Sequence, residues 1–321
     1  MKRTAFRAVA ATLLLLVAKP LLAQDPEFSQ FFANRLYLNP AYVGSERCPR
    51  VMLSYRNQWP GISGTYVTQH ASYDQYVDAI SGGIGVAVMH DVAGAGGILK
   101  TDWMSGMYAY KLNVNRFFTI SAGFQVTYAQ KSVDWSKLNF GDMIDPKRGF
   151  VYNTNELNYV EKRNYLDISA GLLGYGKHYY FGIAAHHLTE PDEALISGPS
   201  PLPMKITAHL GAMIPIDFDK DGKMSISPNI LFQKQQDFQQ INLGLYVKRG
   251  AIVTGLWYRN QDAFIILLGV ETALFKIGYS YDLTISKLTN VTAGAHEISL
   301  MTSFACRVKK HRFRLEDCPS F

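Results

Sequence analysis

"FFTISAGFQVTYAQ", residues Phe117 to Gln130, places apolar side chains on every second position from Phe118 (Ile120, Ala122, Phe124, Val126, Tyr128) and small or polar ones between them (Thr119, Ser121, Gly123, Gln125, Thr127). A period of two is a strand with two unlike faces. In a soluble sandwich the apolar face meets a core; in an outer-membrane barrel it meets lipid while the small polar face lines a lumen. The rest of the chain decides between the two.

Alternation between turn signals predicts fourteen strands, the first Arg50–Gln58 and the last His296–Arg307, with Arg116–Lys131, Tyr165–Gly176 and Pro203–Pro215 among them. An even count is what closure of a single-chain antiparallel barrel requires. Loop length supplies an independent test. Hairpins of even number close around "VDA", "NVN", "GYGK", "DFDKDG", "KRG" and "ETAL", whereas the odd ones include "VAGAGGILK", Ser132–Asn164, Leu188–Leu202 and "LTISKLTNVTAG". A sandwich has no reason to sort loops by parity; an outer-membrane barrel, with short periplasmic turns and long outer loops, does. Tyr and Phe near strand ends, as in "GLWYRN" and "GYSYD", suit a membrane interface. The fold expected is therefore all-β, a transmembrane antiparallel β-barrel of about 14 strands with both termini periplasmic.

The ends agree with export. A basic "MKRTAFR", an apolar "AVAATLLLLVA" and the small residue before Gln24 predict a cleaved signal over residues 1–23. Gln24, not Cys, follows the cleavage point, so no lipid anchor is expected. Removing Lys2, Arg3, Arg7 and Lys19 lowers the formal charge from +6 to +2, which withdraws support for nucleic-acid binding. Beyond the signal no apolar run reaches the roughly 20 residues of a membrane helix. The expected organisation is a periplasmic segment over 24–49, acting as a plug or a docking element, a barrel over 50–307 and a periplasmic tail over 308–321.

Catalytic signatures are missing: no nucleophile elbow, P-loop, dinucleotide fingerprint or zinc pattern occurs, and no enzyme activity or cofactor is expected. "IDFDKDGK" spaces Asp217, Asp219 and Asp221 like the start of a calcium loop, but Pro228 stands where the closing Glu belongs, and turn chemistry explains the same residues. His186 and His187, adjacent in a strand, are expected on opposite faces and so not in one site.

Folding the barrel closed puts the first strand beside the last. Arg56 then meets Glu297 and Asp282, a guanidinium between two carboxylates that anchors the seam from the lumen. The same closure gathers Cys48, Cys306 and Cys318 at the periplasmic rim. A Cys48–Cys318 bridge that pins the tail is expected, with Cys306 as the competing partner.

Four stretches carry a family resemblance: "QDPEFSQFFANRLYLNPAYVGS", "YRNQWPGISGTYVTQHASYD", "GGIGVAVMHD" and "GYSYDLTISKLTNVTAGAHEISL". In collinear order over nearly the whole mature chain, they resemble the PorP/SprF family, outer-membrane components of the Bacteroidetes type IX secretion system. The motif residues are Phe28, Ser29, Gln30, Asn39, Pro40, Ala41, Gly44, Arg56, Asn57, Gln58, Trp59, Tyr281, Asp282, His296 and Glu297. The resemblance implies a non-enzymatic role in protein secretion and gliding motility. It also implies partners: outer-membrane lipid, periplasmic ring proteins, a peptidoglycan-binding protein, and cargo such as adhesins with C-terminal sorting domains. On the residues alone, an outer-membrane channel for small or hydrophobic solutes stays open as the alternative.

Overall fold

Along most strands of the computed structural model, apolar side chains are turned outward and the inward positions are mainly small or polar, with large side chains such as Tyr180, Leu231, Tyr246 and Trp257 among them. The structure describes residues 25–145, 147–152, 154, 160–196, 198–216, 224–260, 262–272, 274–285, 293–304, 306 and 318. In the opening stretch, Ile120 is 37% and Phe124 47% exposed, while Ser121 is fully buried. The Phe118 face is thus turned outward, and the Ser121 face inward.

The strands are β1 (Arg50–Gln58), β2 (Tyr66–Val77), β3 (Gly82–Ala93), β4 (Leu99–Asn113), β5 (Phe118–Val133), β6 (Lys162–Gly176) and β7 (Tyr179–His186). They continue as β8 (Lys205–Ala212, resumed at Ile214–Ile216), β9 (Met224–Gln235), β10 (Phe238–Arg249), β11 (Ile252–Arg259), β12 (Ala263–Glu271), β13 (Phe275–Thr284) and β14 (Ala295–Ser303). Each pairs antiparallel with its neighbours in the chain, and β1 pairs with β14 from Arg50↔Ser303 to Gln58↔Ala295, which closes fourteen strands into a barrel. The interruption in β8 has a local cause. Ala212 and Met213 lie across from Pro228 and its neighbour in β9, and proline has no N–H to give the ladder. Among the described residues no helix is long and apolar enough to cross a membrane.

The two rims differ. One carries the short connections 78–81, 114–117, 177–178 and 250–251; the other carries 134–161, which holds a small hairpin of Ile144–Asp145 with Gly149–Phe150, and 187–204. Sorting by parity is incomplete, since β9–β10 and β11–β12 also join by tight turns on the long-loop rim.

The lumen is occupied by the chain's own N-terminal segment. Asp25 meets His187, Lys205 and Gln235, all at strand ends on the long-loop rim. Ser29 and Gln30 meet Glu297 near the top of β14, Asn39 meets backbone of β6 and β7, and Gly44 accepts from Lys111 near the foot of β4. Cys48 then bonds to Cys306 beyond the feet of β1 and β14. The segment threads the barrel from rim to rim. Asp25 lies at the long-loop rim, and Phe304 and Cys318 lie at the short-turn rim against Pro49 and Ser45. The segment contains the single helical turn α1 (Arg35–Leu38) and a 3-10 turn, Pro40–Tyr42.

Inward glycines make room for this strap. A Cβ at Gly123 would strike the backbone of Pro40 and Ala41, and one at Gly83 would strike Val43 and Gly44. Gly44 itself has φ +62°, where an L side chain is strained. Gly123→Val should therefore push the strap off β5 at a cost of about 1–3 kcal/mol or more, whereas Gly106→Val, on the outer face with open space around it, should be tolerated. Heat-modifiable migration of the two variants checks this; equal behaviour would mean that the strap does not depend on the close approach.

Candidate functional site

"LNPAY" shows how the strap is built. Asn39 accepts from Ala41 N at 2.9 Å to cap the 3-10 turn, and Pro40 occupies the first position, where its missing N–H costs nothing. The same Asn39 amide donates to Leu172 O (3.1 Å) and Ile183 O (3.3 Å), fastening the turn to β6 and β7. Phe31 packs on Trp257 with ring centroids 4.9 Å apart, and Phe32 lies edge-on to Tyr180 at 5.3 Å, so aromatics fill the width that the small wall residues leave empty.

At the seam, Arg56 Nη2 donates to Asp282 Oδ2 at 3.0 Å and Nη1 to Glu297 Oε2 at 3.4 Å, with Ser29 Oγ a further partner. The three residues expected to meet are brought together. Glu297 is fully buried, and the strap completes its coordination. Ser29 N donates to Oε2 at 2.6 Å, Gln30 N to Oε1 at 3.3 Å and Asn34 Nδ2 to Oε1 at 3.1 Å. Ser29 Oγ donates to Asp282 Oδ2 at 2.5 Å, and Ser54 Oγ of β1 to Asn34 Oδ1 at 2.7 Å. One short stretch of strap thus joins β13, β14 and β1. Sequence reasoning missed Arg259, which donates to Asp282 at 3.3 Å from β11; only a register for β11 to β13 would have found it.

The remaining motif residues divide by strand parity. Asn57, Tyr281 and His296 alternate with the inward set; Asn57 pairs with His296 in register, and Tyr281 packs on the His296 ring at 4.9 Å. Gln58 accepts from Arg56, while Trp59, at φ +58°, leaves the strand with its N–H on Gly294 O.

Two further clusters pin the strap's ends. At the short-turn rim Arg50 Nε donates to Asp74 Oδ1 at 2.5 Å, and Asp74 Oδ2 accepts from Gly44 N at 2.7 Å. At the long-loop rim His187 bridges Asp25 and Asp167, each at 2.8 Å, and Lys205 stands 3.5 Å from Asp25. Burial alone would lower the His187 pKa, but the two carboxylates outweigh it and hold it at about 9. Burial likewise opposes ionisation of Asp25, yet His187 and Lys205 keep it well below the usual carboxylate range. Beside this latch lies a cavity of about 40 Å³ lined by His70, Trp103, Gln125 and Tyr165, with His186 and His187 both on its wall. The expectation that these histidines face apart is corrected. The strand ends at His186, and His187 takes φ +58°, which returns its ring to the interior.

The cysteine pairing is also corrected. Cys48 bonds to Cys306, with Cα atoms 5.4 Å apart, and Cys318 is a buried free thiol. The reason is register: with Arg50 opposite Ser303, the chains leaving β1 and β14 run on side by side, and Cys48 and Cys306 meet there. Asp217, Asp219 and Asp221 lie outside the described residues. Among the described residues no cluster of His, Cys, Asp or Glu has metal-binding geometry.

Two outcomes follow from these contacts. Arg56→Ala leaves buried Glu297 without its guanidinium and Asp282 with Arg259 alone, at a cost of about 3–5 kcal/mol; heat-modifiable migration and folding yield should both fall, with Arg56→Lys restoring only part. Unchanged migration would refute the seam role. For the latch the sign is set by the raised histidine: its contribution, about 3 kcal/mol at most, is complete below the ordinary imidazole value of 6.5 and is lost as pH rises through about 9. Proteolytic cleavage near Asp25 should accelerate over that window, and His187→Gln should flatten the profile.

The chain is similar to known outer-membrane barrels. The Ralstonia pickettii toluene transporter TbuX shares 10% identity over 84% of this chain and 93% of its own, with a TM-score of 0.50. The P. putida toluene transporter TodX shares 8% over 84% and 93%, with a TM-score of 0.48. At 10% identity the likeness to TbuX speaks for the fold alone. No curated protein sequence matches the chain. The family model for the type IX secretion system membrane protein PorP/SprF matches residues 21–301. Barrel and family together place the protein in the outer membrane. With most of its length matched, the chain belongs to the PorP/SprF family of type IX secretion system membrane proteins.

Proposed function

We propose that this protein is a non-enzymatic platform of the type IX secretion system. Its short-turn rim holds periplasmic machine subunits, and its long loops support export or surface attachment of cargo with C-terminal sorting domains. The observation that carries this reading is the filled lumen. Phe28, Phe31, Phe32, Leu36, Ala41, Tyr42 and Val43 are all buried within the barrel, so passage of a solute would require removal of a segment fastened at the seam, along the wall and at both rims. Family membership supplies the machine.

Charge favours the short-turn rim as the periplasmic docking face. Among the described residues, Arg47, Arg116, Lys177, Lys248, Arg249 and Lys276 outnumber Glu46, Asp78 and Glu271 there, a balance suited to an acidic protein surface. The barrel convention of long loops outside agrees with that orientation.

The test is affinity capture of the tagged protein from its own outer membrane in mild detergent, with identification of what accompanies it and planar-bilayer recordings on the same sample. Periplasmic ring proteins or a sorting-domain cargo should co-purify, and the bilayer should stay silent. A lone protein with steady solute-dependent conductance would instead make it a channel.

A further inference from the structure

The strap begins at the opposite rim from the one where the barrel begins and ends. We infer that the two ends of the mature chain lie on opposite faces of the outer membrane, the N-terminal end on the long-loop face, and that the barrel wall closes around the strap rather than receiving it afterwards. The inference does not depend on the platform reading, nor on which rim faces outward.

Three sets of contacts carry it. First, Asp25 is held among His187, Lys205 and Gln235, which end or follow β7, open β8 and close β9 on the long-loop side. Second, contacts descend in chain order: Ser29 with Glu297, two residues below the top of β14; Asn39 with Leu172, in the lower part of β6; Ala41 O with Ser121 at 2.8 Å, near the foot of β5; Gly44 with Asp74 and Lys111. A segment inserted as a hairpin from below would meet the wall twice at each height, and these contacts meet it once. Third, the lower end is covalently fixed by Cys48–Cys306, beside which Phe304 N donates to Pro49 O.

The order of assembly follows from the seam. Ser29, Gln30 and Asn34 supply donors to Glu297, and Asn34 also accepts from Ser54 of β1. A β1–β14 junction closed without the strap would leave the Glu297 carboxylate with Arg56 as its remaining partner and forgo three of its four donors, whereas closure around the strap forms all of them at once. Threading afterwards would also drag Phe31, Phe32 and Tyr42 past inward glycines that fit the strap closely. Any partner that reads the chain's N-terminal end therefore meets it on the long-loop face, and one bound to the short-turn face does not reach it.

The experiment places an epitope between Gln24 and Asp25, with reference epitopes in the 187–204 loop, in the Gly250–Ala251 turn and after Phe321, and scores antibody and protease access in intact and permeabilised cells. Only the heat-modifiable, folded form is counted. The N-terminal epitope should behave as the 187–204 reference does, and the C-terminal one as the Gly250 turn does. If the N-terminal epitope follows the turn, the inference falls. Should the epitope block folding, a Ser-Gly-Cys insertion after Gln24 in a Cys318→Ser background, labelled with a membrane-impermeant maleimide, reads the same choice with a smaller probe. Labelling that matches the turn would overturn it equally. For the order of closure, deletion of Asp25–Val43 should abolish the heat-modifiable form; a fully closed, heat-modifiable barrel without the strap would refute that part.

Discussion

A carboxylate buried in a barrel wall needs donors, and Glu297 draws most of its own from a strap that is not part of the wall. The dependence runs both ways. Ser29 and Gln30 have no regular secondary structure to satisfy their backbone N–H groups, and Glu297 accepts both. Without the strap the seam carboxylate would lose three of its four donors; without the seam the strap's upper half would lack its hydrogen-bond acceptors. Arg56, Asp282 and Arg259 extend the network to β13 and β11. In isolation such a buried network is weak evidence for stability. Its physical consequence is specificity, because strand register at the seam and strap position are fixed by the same few atoms.

The rest of the lumen is organised by space. Alternation gives the wall a large apolar outer face and a small inner one, and fourteen strands of that kind enclose a volume that the inner side chains do not fill. The strap fills it unevenly: aromatics against Trp257 and Tyr180 in the middle, backbone laid flat along inward glycines on β3 and β5, and ion-paired polar groups at each end.

Much of this barrel was legible because a period of two needs no tertiary information. β1 runs Arg50–Gln58 as expected, and β14 ends at Ser303, short of the expected Arg307, since alternation continues in sequence after its pairing partner has turned away. The seam triad was legible because closure of an even-stranded sheet dictates who faces whom. That reasoning, carried eight residues back from Arg56, would have brought Cys48 to within one position of Cys306. The threaded strap was not legible in the same way: a segment that packs on all sides of a lumen shows no periodicity. A signal existed in the inward glycines, Gly83 and Gly123, which a lumen wall has no need of unless another backbone approaches. His187 defeated strand parity because one left-handed residue at a strand end reverses the rule.

The disulfide has a mechanical meaning. It ties the lower end of the strap to the strand that closes the barrel, so a pull on Asp25 away from the long-loop rim travels down the strap to Cys48 and passes through the bond to Cys306. The load arrives at the feet of β1 and β14 together, directed along both strands. A ladder loaded along its strands resists as many hydrogen bonds at once, where a load across them would part the bonds one by one. Tension on the strap is thus borne by the closing seam of the barrel and not by the strap's own contacts alone.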